Sequence, residues 1–352
     1  MSVKRILSLI LCFVLVLGMS TSLLGCSKKV EISQEQQGQS SGGQNSATDP
    51  AKPDDKNENG EDATGTNKPT EGKTIDELIN DINKGKQKVN AYLVMGIDKH
   101  GPVTNDGDSG QCDSLYLLLV NEKASSYSIL QLDRDSITDL NVINDAGQAV
   151  TYNDVPLALA HAFGSGGKDS CEYVVSTVSK MLGGVKIDGY IAMNFEGIIE
   201  INDAVGGVDV LVEDDMTVVD PLLVKGETVH LEGQTVLNFV RTRQNVSDGL
   251  NHSRMSRQRS YINAVMSAYR ASIKANSGIL NEAYKRVEPF IISNLSMNEI
   301  VNISAKCASY SGGKIETTKG KGEIVKHKNG NEYYYFYLDQ DALKEQVERL
   351  FY

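Results

Sequence analysis

Five arginines fall between Asn238 and Arg259: Arg241, Arg243, Arg254, Arg257 and Arg259. The stretch holds no lysine and one acid, Asp248, in a chain of 352 residues whose formal net charge is -11. A guanidinium is a planar fork of donors that grips phosphate or carboxylate oxygens in pairs. A solvated helix face would mix Lys, Arg and Glu, so this local reversal of sign points to an anion site, phosphate above all. Arg254, Arg257 and Gln258 stand at i, i+3 and i+4, on one side of a predicted helix. Arg254 is in its first turn, where backbone amides favour anions. Arg241 and Arg243 alternate along an extended stretch and can point the same way.

Carboxylates that could complete such a site lie earlier. Asp98 closes Gly96-Ile97-Asp98 at the end of an apolar run, and Asp113 opens the next run. Open α/β sheets place ligands beside such strand ends. Two carboxylates there can share a hard divalent ion that keeps most of its waters for phosphate oxygens, although Asp is also a common loop residue. Arg134 follows a third apolar run between Asp133 and Asp135. Asp135 would either orient it toward the same pocket or form a plain loop ion pair with it. Arginines gathered over two carboxylates would make a pyrophosphate clamp with a bridging cation.

The chain has no Gly-x-x-x-x-Gly-Lys-Ser/Thr loop, Gly-x-Ser-x-Gly elbow or His-Glu-x-x-His motif. His161 and His252 are isolated and read as bystanders. Without an obvious nucleophile, chemistry would rest on charge neutralisation and positioning, which phosphoryl transfer tolerates best. Of 5 cysteines, Cys12 and Cys26 lie in the leader, and Cys112, Cys171 and Cys307 read as unpaired, with no zinc-site spacing. A pI near 5.0 argues against nucleic acid as a partner.

The elements that must hold these residues are readable in outline. Lys4 and Arg5 precede an apolar run, Ile6 to Leu17, followed by Leu23-Leu-Gly-Cys26. This predicts an export signal over 1–26 with a lipobox, Cys26 being lipidated and holding the chain on the outer face of the membrane. An uncleaved single-span anchor is the alternative. Residues 27–73 are nearly free of large aliphatics and predict a disordered polar tether. Folding is expected from Thr74, whose Thr-Ile-Asp-Glu pattern caps a short helix. Apolar runs at 90–95, 114–120, 127–132, 190–193 and 208–212 read as strands. Helices are expected over 157–163, 169–182, 194–205, 232–240 and, capped by Ser253, 254–274. Strands alternating with helices predict an α/β fold, a three-layer sandwich, over 74–275. Residues 276–352 read as a small α+β extension packed on or beside it, with a hairpin turn at Lys328-Asn-Gly-Asn331.

From about Ala91 to Ala264 the chain resembles the LytR-CpsA-Psr family of cell-wall enzymes. The resemblance rests on short stretches in the right order: Tyr92-Leu-Val-Met-Gly-Ile-Asp98, Asp113-Ser-Leu-Tyr-Leu-Leu-Leu-Val120, Leu132-Asp-Arg-Asp135 and Met193-Asn-Phe-Glu-Gly197 come first. Ala204-Val-Gly-Gly-Val-Asp-Val210, Leu231-Glu-Gly-Gln234, Phe239-Val-Arg-Thr-Arg243 and Arg254-Met-Ser-Arg-Gln258 follow. It implies a mixed central sheet and an extracytoplasmic, Mg2+-dependent phosphotransferase. Such an enzyme moves a glycopolymer from undecaprenyl pyrophosphate to a peptidoglycan hydroxyl, with the polyprenyl chain in an apolar tunnel. By that resemblance Asp98 and Asp113 are the magnesium ligands. Arg134, Arg241, Arg243, Arg254 and Gln258 are pyrophosphate positions, and Asp135 and Asn194 are further polar positions of the pocket; Arg257 is added on helical spacing. The catalytic set is Arg134, Asp135, Arg241 and Arg243. Three departures stand out: Gln111 where the family usually has arginine, an unusual loop from Lys99 to Cys112, and a lipobox in place of a transmembrane helix. A polyprenyl-pyrophosphate hydrolase and a non-catalytic lipid-binding or regulatory protein are the rival readings.

Overall fold

A computed structural model describes residues 89–103, 110–143, 147–247, 249–275, 284–327 and 330–351. The leader, Cys26, the tether and the helix expected from Thr74 lie outside the described residues.

The central element is β1 (Val89–Ile97). It pairs antiparallel with β2 (Cys112–Asn121), which pairs antiparallel with β3 (Ser126–Leu132). β4 (Ile137–Ile143) and β5 (Ala149–Pro156) form a separate hairpin. Helices α1 (Leu159–Ala162) and α2 (Gly167–Met181) lead into β6 (Gly189–Met193), which lies parallel to β1. Then come α3 (Phe195–Ala204), the two-stranded β7 (Val208–Leu211) and β8 (Thr228–Leu231), α4 (Gly233–Arg241) and the long α5 (Asn251–Ala275).

The last segment departs from the expected extension. β9 (Ile291–Ser293) pairs with β6, and β10 (Ser311–Thr317) pairs with β3, so both edges of the six-stranded sheet β10-β3-β2-β1-β6-β9 come from beyond residue 276. The boundary expected at 275 is therefore not a boundary of the fold. Of the described strands beyond residue 276, the ribbon β11 (Gly320–Lys326) with β12 (Glu332–Leu338) stands apart from that sheet. The hairpin expected around Asn331 is that ribbon. α6 (Met297–Ser309), closed by a Ser296–Glu299 capping box, and α7 (Gln340–Phe351) complete the chain. Strands β4, β5, β8, β9 and β10 are short or polar on one face, and no continuous apolar run announced them.

Three layers result. On one sheet face, alternate residues Leu93, Met95, Leu117 and Leu119 pack with Val174 and Val178 of α2 and with Leu343 and Val347 of α7. The other face meets α5 and α6 through Leu118, Ile129, Ile303 and Cys307, and meets α3 through Met193 and Ala204. β1 is central yet its burial alternates. Val94 and Gly96 on its other side face a cavity of about 150 Å3 between the sheet, α3 and α5, whose walls include Ile129, Ile198, Val265 and Met266. Among the described residues Cys112, Cys171 and Cys307 are free and buried, as expected of structural thiols.

Candidate active site: an arginine–aspartate cluster at the head of an apolar cavity

Asp113 owes its position to a bulge. Gly96 pairs with Ser114 and Ile97 with Cys112, so Asp113 is an extra residue with no partner across the ladder. Bulges of this kind re-aim side chains beside functional sites. Gly96 makes the close pairing possible, because a Cβ there would sit 2.3 Å from Ser114 Oγ.

Two arginines from distant parts of the chain close on Asp113. Arg134 Nη1 donates to Oδ1, and Arg254 Nη1 donates to Oδ2 at 2.7 Å. Burial alone would raise the Asp113 carboxyl, but Arg134 and Arg254 outweigh it and hold it below the usual carboxylate range. Arg134 uses both terminal nitrogens: Nη2 donates to Gln111 Oε1 at 2.6 Å, while Nε lies 3.3 Å from Asp135 Oδ1 as an ion-pair contact without hydrogen-bond geometry. Arg254 is braced from its own helix by Asn251 Oδ1, which accepts from Nη2 at 2.7 Å.

Arg241 and Arg243 form the open side. Arg241 lies over the Phe195 ring at 4.2 Å and reaches Asp98 Oδ1 at 3.2 Å. Arg243 Nη1 is 3.8 Å from Asp135 Oδ2, too long for a hydrogen bond. That oxygen is buried with no hydrogen-bond donor. Burial, and then the neighbouring Arg254 and Arg134, push the Arg243 guanidinium below its ordinary range against the pull of Asp135. A half-buried cation crowded by other cations marks a candidate anion-binding position. Beside it, burial and Asp135 raise the Asp133 carboxyl, although Asp135 N and Asn251 Nδ2 donate to it. The cluster thus sets Arg134, Arg241, Arg243 and Arg254 against Asp98, Asp113 and Asp135.

Three residues expected to bind pyrophosphate are placed otherwise. Arg257 is 2% exposed; its Nη1 donates to Asp214 Oδ2 at 2.6 Å, and its fork also holds the carbonyls of Phe239 and Thr242. Residues i+3 and i+4 on a helix stand about 100° apart, enough to send Arg257 to the end of α4 and Gln258 to the sheet. Gln258 uses both ends of its amide, donating to Val240 O at 3.2 Å and accepting from Tyr116 Oη at 3.1 Å. Asn194 donates to Gly101 O at 2.9 Å and pins the segment after Asp98. Glu196 holds the same segment through His100 and Gly101 N. Ser253, expected to cap α5, lies inside it, because the helix begins at Asn251. Asp214, Asn251 and Phe195 escaped the sequence reading; their types are unremarkable, and only packing shows their partners. His161 is buried, with Nδ1 3.2 Å from the carbonyl oxygen of Gly110, the residue before Gln111.

Asp98 and Asp113 are the donors available to a hard cation. Asp113 is the bulge residue of β2 and Asp98 directly follows β1, with Asp98 N donating to Gln111 O at 2.9 Å. Arg134 and Arg254 already hold both Asp113 oxygens, and Arg241 holds Asp98 Oδ1. Among the described residues no three His, Cys, Asp or Glu side chains gather as a metal cage. A pair of carboxylates is a donor set that would fit magnesium, which keeps several waters and takes phosphate oxygens.

The cavity begins at this cluster. Ser114, Val240 and Gln258 wall it, and they adjoin Asp113, Arg241 and, one turn on, Arg254. Its other walls are apolar, so a charged head and a greasy slot share one border.

Known proteins share this arrangement of sequence and fold. A polyisoprenyl-teichoic acid–peptidoglycan teichoic acid transferase TagU of Bacillus mycoides is 29% identical over 290 residues, covering 78% of this chain and 86% of its own. A TagU of Bacillus cereus is 30% identical over 262 residues, covering 73% and 76%. The crystal structure of Bacillus subtilis TagV matches 76% of this chain and 96% of its own at 23% identity, with a TM-score of 0.56. The sequence model of the LytR_cpsA_psr family matches residues 50–351, and the chain belongs to that family.

Proposed function

We propose that the protein is a glycopolymer–peptidoglycan phosphotransferase working on a polyprenyl-diphosphate donor. The observation that carries this is the shared border of the cluster and the cavity: Ser114 and Gln258 wall an apolar slot one step from Asp113 and Arg254. A diphosphate with a hydrocarbon tail has that polarity. At about 150 Å3 the slot matches cavities that take a small hydrocarbon. It accommodates the start of a polyprenyl chain, and α3 and α5 must part to admit the rest. Relatives named as teichoic acid transferases support the choice of donor and acceptor.

Arg241 and Arg243, at 45% and 35% side-chain exposure, are the groups free to turn onto phosphate. Arg254 and Arg134 hold Asp113 in place behind them. The acceptor hydroxyl oxygen forms a bond to the phosphorus next to the sugar, and the bond from that phosphorus to the bridging oxygen breaks. Polyprenyl monophosphate leaves. As Arg243 moves onto phosphate it uncovers Asp135 Oδ2, which takes the hydroxyl proton; a loose transition state asks little of that base. Asp98 and Asp113 would hold Mg2+, which when bound supplies positive charge to the diphosphate oxygens. Cys26, lipidated, and the polar stretch 27–73 would tether this domain to the outer face of the membrane.

The test is a transfer assay with a defined polyprenyl-diphosphate glycan and peptidoglycan oligomers, with Mg2+ varied. Glycan joined to peptidoglycan, dependent on Arg241 and Arg243, is the expected result. Release of free glycan phosphate at the same rate with and without acceptor would mean a hydrolase instead. Replacing Cys26 with Ser should abolish lipid labelling.

A further inference from the structure

The β11–β12 ribbon carries aromatic side chains at successive positions from Tyr333 to Tyr337. Two faces divide them. Tyr334 and Phe336 lie across Gly322 and Gly320, where an added Cβ would come within 2.3 Å of Tyr334 Cζ and 2.8 Å of Phe336 Cε1. Rings over glycines cover bare strand backbone, which accounts for that face structurally.

On the other face Tyr335 Oη pairs with His327 Nε2 at 2.8 Å and Tyr333 Oη accepts from Asn331 Nδ2 at 3.2 Å, but among the described residues no glycine backbone lies beneath the rings. His327 meets Tyr333 edge-on at 4.8 Å and Tyr335 at 5.6 Å, and Tyr335 meets Tyr337 at 6.3 Å, so the rings form one continuous strip. Tyr337 is 42% exposed. The register sets Lys321 beside Tyr337 and Glu323 beside Tyr335. Both are exposed, and among the described residues neither forms an ion pair.

This strip is joined to the active site by backbone. Phe336 N donates to Asp135 O at 2.9 Å, and Ser136 and Phe336 form a parallel bridge. Tyr335 and Tyr337 therefore flank the residue bonded to Asp135, which sets the strip beside the segment that carries Arg134 and Asp135.

A pyranose ring has an apolar C–H face and a rim of hydroxyls. Tyrosine rings supply flat apolar area at low entropic cost, and interleaved Lys321, Glu323 and phenol groups suit the rim. A nucleic-acid platform also uses aromatic rings but needs a cationic groove, which Glu323 and a net charge of -11 oppose. We propose that the His327-to-Tyr337 face of this ribbon is a carbohydrate subsite for the glycan strand of peptidoglycan, laying the acceptor polymer along β12 toward Asp135. The assignment rests on the transferase reading above.

The chain contains no Trp, so tyrosine emission reports ring contacts directly. The full protein is titrated with peptide-free glycan oligomers cut from peptidoglycan, and separately with polyprenyl diphosphate and with free teichoic acid. Three variants accompany it: Tyr335→Ala with Tyr337→Ala, Tyr335→Phe with Tyr337→Phe, and Arg241→Ala with Arg243→Ala. Unfolding midpoints verify that each is folded. Removing the rings should weaken glycan binding about tenfold or more, while the phenylalanine pair and the arginine pair bind glycan as the parent does. Polyprenyl diphosphate should show the reverse pattern. No glycan binding by the parent, equal binding by the alanine pair, or a strip that prefers teichoic acid would overturn the subsite. Loss of the transferase reading looks different: the parent itself would fail to bind polyprenyl diphosphate, or would bind it without Arg241 and Arg243.

Discussion

Arg254 and Arg257 stand one turn apart on α5, yet they close on different carboxylates: Arg254 on Asp113 at 2.7 Å, Arg257 on Asp214 at 2.6 Å. The first pair builds the floor of the site. The second anchors the carbonyls of Phe239 and Thr242, which bracket Arg241, and so sets where the two mobile arginines start.

Arg257→Ala should therefore act on stability before it acts on chemistry. It leaves Asp214 and two carbonyls without their donor, and breaking a buried pair costs about 3–5 kcal/mol. Asp214→Asn keeps a hydrogen-bond acceptor for Arg257 but leaves its buried charge unpaired, so it should also lower the urea midpoint, by less than Arg257→Ala does. With the anchor loosened, diphosphate affinity should fall severalfold. Parallel unfolding and binding titrations check both.

Arg241→Ala with Arg243→Ala should do the opposite. The pairs lost are long or partly exposed, at 3.2 Å and 3.8 Å, so the stability change should stay within about 1 kcal/mol. Diphosphate affinity should drop about a hundredfold, and what remains should depend less on salt. Calorimetry across ionic strength measures this.

Gln111→Arg replaces the acceptor that holds Arg134 Nη2 with another cation. Without ligand the variant should be less stable by about 1 kcal/mol. With diphosphate bound, the extra charge should help, so the ligand-induced rise in unfolding temperature should exceed that of the parent. An equal or smaller rise would mean Gln111 is not near the bound phosphates.

Gly96→Val puts a branched side chain where Ser114 Oγ already stands 2.3 Å from the Cβ position. It should narrow the cavity at the end nearest the cluster. Binding of a long-chain polyprenyl diphosphate should weaken more than binding of inorganic pyrophosphate, which feels only the shift of the bulge that seats Asp113. Direct competition between the two ligands reads out the split.

Acid should loosen the cluster. The Asp113 carboxyl ionises at lower pH in the folded protein than in the unfolded chain, because Arg134 and Arg254 outweigh its burial. Its ion pairs therefore add stability above the unfolded value, about 3.9, and that contribution is lost as pH falls through the lower folded value. Asp113→Asn should flatten the acid limb of the stability profile and cost stability at pH 7. Urea midpoints from pH 7 down to acid, compared between parent and variant, test this.

The cluster was partly legible in residue types. Arginine without lysine on an acidic chain marked a candidate anion site, and Arg134, Arg241, Arg243 and Arg254 do gather with Asp98, Asp113 and Asp135. Apolar runs ending at Asp98 and beginning at Asp113 marked strand ends. Those runs also announced β1, β2, β3 and β6, because strands covered on both faces must be apolar throughout. The edge strands β9 and β10 carry no such run, since one side of an edge strand has no neighbour to bury it. That is why residues beyond 276 read as an extension when they complete the sheet.

What the sequence by itself determined is composition along the chain: which positions carry charge, which segments can be buried, and in what order they come. Helical spacing could put Arg254, Arg257 and Gln258 on one side of α5, but it could not say which neighbour each would meet. Only the packed structure decided that Arg254 goes to Asp113, Arg257 to Asp214 and Gln258 to Tyr116. The reason is physical: a period of 3.6 residues is a local property of the backbone. A buried guanidinium must be paired wherever it lands, and its partners come from strands and loops more than a hundred residues away for Arg254, with Asp113, and forty-three for Arg257, with Asp214.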